Sequence, residues 1–368
     1  MVASVTMTAG LVIRVAWVFG VLALSSWDSA LAQAPIPDSL VRFWRQNAPL
    51  CAAGSGWRSF PSKHSCEDHE DGDMTLFNGL LCAAGETAGC DAVADAQRAD
   101  GRWFRSPKRR AILESGVCDD SFDSDPSSAG ARQYDRYCRN TLSPDMALGI
   151  QLYVAATNDV RRLAQWTQWL DEHRPEAKKV FGIIVGLWPR YCTDDVCRKE
   201  PGTNDCVAGE SSRGCTMRPG DLAVLGQTMR HFKLPRVGLG FQELLDSASA
   251  NTFTIAPLDG LLNDTGFSLH LTGVTVLTLR RLGHTNDRLA QTAQILTERQ
   301  PKNPFFAYLH EGSTPRVRDM TVAVCPDKIA DISQERNEWA WERADSKDAW
   351  RHSMLWDCIF MAKLLEQP

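Results

Sequence analysis

Apolar positions along the chain recur at the three-to-four-residue spacing of an α-helix, while the strict alternation of a half-buried strand hardly appears. Met74, Phe77, Leu80, Leu81 and Ala84 fall on one helical face that ends at Gly85. Ser143-Pro144 joins a capping side chain to a proline at the first helical position, and Met146, Ile150 and Tyr153 continue that stripe. A charged helix follows from Val160 to His173, with Leu163, Trp166 and Leu170 inward, and Pro175 stops it. Pro219-Gly220-Asp221 opens another, through Leu222, Leu225, Met229 and Phe232. Phe267 to Leu282 is mostly apolar and closed by Gly283, whereas Asn286 to Arg299 is amphipathic. Asn303-Pro304 starts a short aromatic helix from Phe305 to Leu309, and Asp348 to Leu365 ends the pattern with Leu355, Ile359 and Ala362 inward. The expectation is an all-α protein in which apolar helices alternate with amphipathic ones.

Three helix starts share a pattern: Gly72-Asp73-Met74, Pro144-Asp145-Met146 and Gly220-Asp221-Leu222, followed by Gly79, Gly149 and Gly226. A glycine inside a helix costs about 1 kcal/mol relative to alanine, so three of them need a reason. Close approach of neighbouring helices supplies one. A repeat of this kind fits helical hairpins that each lend one inner helix to a ring.

Composition narrows the class. With 43% apolar residues in 368, and Gly 26 and Pro 18, the chain is neither disordered nor collagen-like. A net charge of -5, from 40 basic and 45 acidic side chains, excludes a protein held to nucleic acid by a general basic field. Arg14 is the only charge before Asp28, the run Val15 to Leu24 is apolar, and Ala30-Leu31-Ala32 has the small-x-small spacing read by signal peptidases. That run is too short to span a bilayer. Residues 1–32 therefore read as a signal peptide, and 33–368 as one exported domain with no membrane segment, periplasmic or secreted. All 12 cysteines lie after the expected cleavage point, and an even count in an exported chain reads as disulfides. Spacing favours local pairs such as Cys192–Cys197 and Cys206–Cys215, and their gaps do not match paired zinc knuckles. No metal or other cofactor is expected.

Inner helices alternating with outer ones, in an exported chain of this size, resemble the α/α toroids (six-hairpin type) of bacterial carbohydrate-active enzymes. The acidic entry Glu70-Asp71-Gly72-Asp73 is similar to that of glycoside hydrolases of family eight and related toroids. Ser143-Pro144-Asp145, Asn303-Pro304-Phe305 and the closing Trp356-Asp357 add to the likeness, which spans about residues 65 to 365 as architecture. It implies an α/α toroid with long disulfide-pinned loops, acting on a polysaccharide or oligosaccharide.

Candidate chemistry follows the carboxylates. Glu67, Asp68, Glu70, Asp71 and Asp73 crowd five acids into seven residues, a setting that raises some carboxyl pKa values. Glycosidic cleavage needs two carboxyl groups in unlike environments, one protonated and one ionised. A ring of inner helices with its starts at one mouth would gather Asp73, Asp145 and Asp221; capping of free N–H groups explains each of them as well. Glu311, after the aromatic helix, is the third catalytic candidate beside Asp73 and Asp145, with a solvated helix end as its plainer explanation. Trp103 and Trp188 are candidate stacking faces for sugar rings, and Arg105, Tyr134 and His270 candidate polar contacts. No Gly-x-Ser-x-Gly elbow, phosphate loop or dinucleotide fingerprint occurs. The expectation is a monomeric glycoside hydrolase; a non-catalytic glycan-binding or envelope protein on the same scaffold, and a polysaccharide lyase, remain alternatives.

The exported form is expected to begin at or near Gln33. Intact-mass measurement on secreted material checks this, and retention of residues 1–32 would contradict it.

Overall fold

The computed structural model describes residues 35–62, 74–115, 142–172, 177–180, 183–187, 189, 191, 217–332 and 355–367. These are mostly helical. In chain order the elements are α1 (Asp38–Asn47), β1 (Leu50–Ala52), β2 (Ser59–Pro61), α2 (Met74–Ala83), α3 (Thr87–Asp95), α4 (Pro107–Glu114), α5 (Pro144–Thr157), α6 (Val160–Glu172), β3 (Ala177–Val180), β4 (Ile183–Leu187) and α7 (Pro219–His231). They continue with α8 (Leu239–Ala250), α9 (Thr252–Leu262), α10 (Phe267–Arg281), α11 (Asp287–Arg299), α12 (Pro304–Glu311), α13 (Pro315–Val324), a single 3-10 turn at Ile329–Asp331, and α14 (Leu355–Leu365).

The starts are fixed by local chemistry. Asn286 accepts hydrogen bonds from the backbone N–H of Arg288 and Leu289, and Asn303 accepts from Phe305. Ser106 and Thr314 cap α4 and α13 in the same way, each followed by a proline at the first helical position. Helix α5 ends at Asn158, in the left-handed conformation, and α2 is followed by Gly85 at φ +90°.

Apolar helices form the centre. Helices α2, α5, α7, α10, α12 and α14 are buried on nearly every face, as expected of helices that are apolar all round. Each packs on the next in this order, and α14 returns to α2. Leu80, Leu148, Val224, Leu277, Phe305 and Phe360, one from each helix, belong to a single apolar cluster. Partly exposed helices lie against them: α3 on α2, α6 on α5, α8 and α9 on α7, α11 on α10 and α12, α13 on α12 and α14, and α1 on α14. The indole of Trp44 on α1 donates to the Pro326 carbonyl at 2.7 Å, and that of Trp356 on α14 to the Pro49 carbonyl at 2.9 Å, tying early and late segments together.

The tightest contact joins α2 to α5. A β-carbon on Gly149 would stand 2.2 Å from the Thr75 carbonyl oxygen, and one on Gly79 would stand 2.3 Å from that of Gly149. The expected close approach of neighbouring helices is therefore real at all three glycines, although the partners differ. The third glycine, Gly226, faces the outer helix α8 at Leu245 and Ser249 instead.

Two departures from the apolar pattern are instructive. Helices α1, α3, α4, α8, α9 and α13 are not among those it marked; α9 carries Pro257 in its interior, a breaker by local rules. Pro257 is buried, so packing overrides the lost N–H. Two short antiparallel hairpins also appear, β1–β2 and β3–β4, pairing Cys51 with Phe60 and Val180 with Ile183. Disulfides Cys82–Cys90 and Cys325–Cys358 close the α2–α3 hairpin and fasten the end of α13 to α14, and Cys51 is also disulfide-bonded. Among the described residues no helix is long and apolar enough to cross a membrane.

Gly149→Ala is expected to destabilise the protein by roughly 3 kcal/mol, because the new methyl meets backbone that cannot move aside. Gly260→Ala is the control: its β-carbon would meet side chains at an ordinary 3.5 Å, so it should gain up to about 1 kcal/mol from helix propensity. Chemical denaturation of the two variants checks the contrast.

Candidate active site

Some of these helices meet near their starts. Gly149 rests on Thr75 and Leu76, so α2 and α5 meet through their N-terminal halves. The His270 ring on α10 lies 5.6 Å from the Phe305 ring on α12, which in turn lies 5.5 Å from Phe360 on α14. Asp145, Asp221 and Asp357 occupy the first turns of α5, α7 and α14, at 5%, 5% and 0% exposure. Three carboxylates withdrawn from water at helix starts are costly unless N–H groups or cations compensate them.

Asp221 has such compensation in full view. Its Oδ2 accepts from the backbone N–H of Arg218 at 2.7 Å and from the Arg218 guanidinium at 3.1 Å. Asp259, on α9, reaches the same place: its Oδ2 would lie 2.9 Å from a β-carbon on Gly220. Burial raises the Asp259 carboxyl above its ordinary value, the Arg218 charge opposes that, and the Asp221 charge adds to it. Tyr191 lies alongside, since the Met217 N–H donates to the Pro189 carbonyl at 3.0 Å. Its ring stacks on Trp166 at 5.8 Å, and its hydroxyl is buried without a hydrogen-bond partner among the described residues. Burial first, and the Asp221 charge second, push that phenol well above its usual range. A carboxylate bonded to a guanidinium beside one biased towards its protonated form gives two acids in unlike surroundings, the arrangement that proton transfer uses.

The residues singled out from sequence are placed unequally. Asp145 lies at a helix start, as expected, and is 5% exposed there. Trp103 has no free face: it is 1% exposed, its indole donates to the Val93 carbonyl at 2.8 Å, and Tyr153 and Trp166 pack edge-on against it, each at 6.1 Å. This corrects the reading of Trp103 as a sugar-stacking face; packing between α5 and α6 uses the ring. His270 is fully buried in α10 and belongs to the core rather than to an open cleft. Glu311 sits at the C-terminal end of α12, paired with Arg316 and approached by the Thr314 hydroxyl at 3.4 Å. The helix-end explanation accounts for it, and the structure does not bring it to the helix starts. Arg105 is half-buried, and its carbonyl lies 2.7 Å from the Thr75 hydroxyl in the first turn of α2. Asp73, Tyr134 and Trp188 lie outside the described residues, as do the acidic run 63–73, the loop 116–141 and the cysteines of 192–216. Among the described residues no group of three or more His, Cys, Asp or Glu is arranged to hold a metal ion.

Sequence reasoning missed Asp259 and Tyr191 and gave no role to Asp357. The Trp356-Asp357 dipeptide carried a signal, since it repeats the Asp-at-helix-start pattern of Asp145 and Asp221. Asp259 carried none, because α9 is itself unmarked. The chain matches no protein-family model, no curated protein and no solved structure.

The raised Asp259 carboxyl has a signed consequence. A folded-state pKa above the unfolded value means that the ionised side chain opposes folding at neutral pH. The penalty fades as pH falls from the raised value through the ordinary 3.8. Asp259→Asn should therefore be more stable than the parent at pH 7, with the gain shrinking towards pH 3. Urea unfolding of both proteins across that range measures it; an advantage that grows on acidification would refute the assignment.

Proposed function

We propose that this protein is an exported glycoside hydrolase, built on an α/α toroid and cleaving a polysaccharide or oligosaccharide with paired carboxylates. The toroid reading is supported by the closed succession of six apolar helices, each flanked by partly exposed ones. The observation that carries the catalytic reading is the set of buried carboxylates in the first turns of those helices, Asp145, Asp221 and Asp357. With Asp73 they would gather acids at one mouth, where a glycosidic oxygen needs one proton donor and one base or nucleophile. Arg105, beside the start of α2, would contribute a fork-shaped donor to sugar hydroxyls. The disulfides favour an oxidising compartment, in keeping with export.

Asp221, fully engaged by Arg218 as a cap, is the better candidate for an electrostatic or positioning role, whereas Asp145 and Asp73 are the candidates for proton exchange. Asn keeps the size and polarity of Asp but cannot exchange a proton. Asp145→Asn is therefore expected to cut turnover by roughly 10²-fold or more with little change in melting temperature, and Asp73→Asn to do the same. The assay is release of reducing ends from a panel of glucans, arabinans, galactans and uronans. An ultraviolet-absorbing unsaturated product would instead identify a lyase. Retained affinity on a glycan array with no turnover on any panel member would leave a glycan-binding protein.

A further inference from the structure

The carboxylates near the helix starts differ in whether anything outside the protein can touch them. Asp145, Asp221 and Asp357 are 5%, 5% and 0% exposed. Asp259, which α9 brings to the start of α7, is only half-buried. Gly220 fixes where it lies: the Asp259 Oδ2 stands 2.9 Å from the place that a β-carbon on Gly220 would take. A side chain at 220 would push the carboxyl group aside, so the glycine lets it rest against the first turn of α7.

Among the described residues no hydrogen bond engages the Asp259 carboxyl group. Asp221, by contrast, holds the Arg218 guanidinium through both oxygens, at 3.1 and 3.4 Å. That cation is committed to the buried acid and leaves the half-buried one unbonded. Burial biases the Asp259 carboxyl towards its protonated form, with the Arg218 charge opposing and the Asp221 charge assisting. An unused O–H donor lies close by. Tyr191 is tied in where the Pro189 carbonyl accepts from the Met217 N–H, and it shares an apolar cluster with Met217 and Leu222. It is 1% exposed, and its hydroxyl has no partner among the described residues. Buried polar groups left unpaired are exceptions for which a role in chemistry is one of the few accounts.

A group that protonates a glycosidic oxygen must come within hydrogen-bond reach of it and carry a proton at working pH. A base that acts on water needs room for that water alone, which suits a withdrawn group such as Asp145. We propose that Asp259 is the general acid of this site, held against the start of α7 by Gly220 and reaching the leaving-group oxygen of the bound glycan. The assignment rests on the glycoside hydrolase reading and adds to it the residue that gives up the proton. That proton goes to the glycosidic oxygen, which keeps the electron pair of the breaking bond to the anomeric carbon. Water supplies the hydroxyl that takes its place, and the other proton of that water passes to a carboxylate of the site. Gly220 acts as a positioning residue.

The test compares two leaving groups. A sugar oxygen needs a proton to depart, whereas a dinitrophenolate leaves without one. The substrates are the polysaccharide that releases reducing ends and the dinitrophenyl glycoside of its sugar. Asp259→Asn is expected to lose roughly 10²-fold or more of turnover on the polysaccharide and less than about tenfold on the dinitrophenyl glycoside. The alkaline fall of the parent pH–rate profile, where the acid loses its proton, should vanish in this variant. Gly220→Ala keeps the carboxyl group but moves it, and should show the same split between substrates at roughly tenfold. Urea midpoints of both variants separate lost chemistry from lost folding. Equal losses on the two substrates, full turnover of Asp259→Asn on the polysaccharide, or an alkaline limb that survives in it would overturn the acid assignment and leave the hydrolase reading in place. A parent inactive on every polysaccharide and every dinitrophenyl glycoside of the panel sugars would overturn the hydrolase reading, and the assignment with it.

Discussion

Backbone-to-backbone contact between α2 and α5, at Gly79 and Gly149, is the constraint around which the other helices arrange themselves. Without β-carbons the two helices approach until the Thr75 and Gly149 carbonyls lie where side chains would otherwise stand. Helix α2 then packs on α3, to which Cys82–Cys90 ties it, and on α14, while α5 packs on α6, α7 and α10. Mid-helix polarity is handled within the same core: the Thr228 hydroxyl on α7 donates to the Gln151 amide oxygen on α5 at 2.9 Å, so neither buried group is left unsatisfied. Close-packed interiors transmit displacement rather than absorb it. A wider α2–α5 spacing would therefore disturb Thr75, whose hydroxyl meets the Phe104 and Arg105 carbonyls, and with it the segment that carries Arg105.

The two ends of the apolar helices differ in chemistry for one reason. Aligned peptide dipoles put partial positive charge at helix starts and partial negative charge at helix ends. Asp145, Asp221 and Asp357 gather at starts, while Arg230, Arg280, Arg281 and Lys363 gather at ends. Each carboxylate is stabilised enough to remain buried, and buried carboxylates in unlike surroundings can differ in proton affinity. Asp259 shows the effect: its neighbour Asp221 is bonded to Arg218, while the Asp259 carboxyl is itself raised by burial and, to a smaller degree, by the Asp221 charge. The scaffold's electrostatics and its candidate chemistry thus have a common origin.

Helix boundaries were the most legible feature of the sequence, because caps act within one turn. Ser143-Pro144, Pro219-Gly220-Asp221, Asn286 and Asn303-Pro304 mark starts that the structure places within a residue of the expected positions. The division into apolar and amphipathic helices was equally legible, since periodicity records how many faces of a helix are buried. Paired glycines announced close contact, although only tertiary structure assigned Gly79 to Gly149 and Gly226 to an outer helix. Sequence could not place Trp103, because an indole looks the same in a loop that faces solvent and in one that folds under α5 and α6. Nor could it bring Asp259 to Gly220: the two lie on different helices, and α9 hides behind Pro257. The chain by itself determined the starts, the burial and the end polarity of the helices its periodicity marks, all of which depend on neighbours within a few residues. Tertiary structure alone decided which carboxylates meet which cations, because burial and proximity across helices are properties of the packed whole.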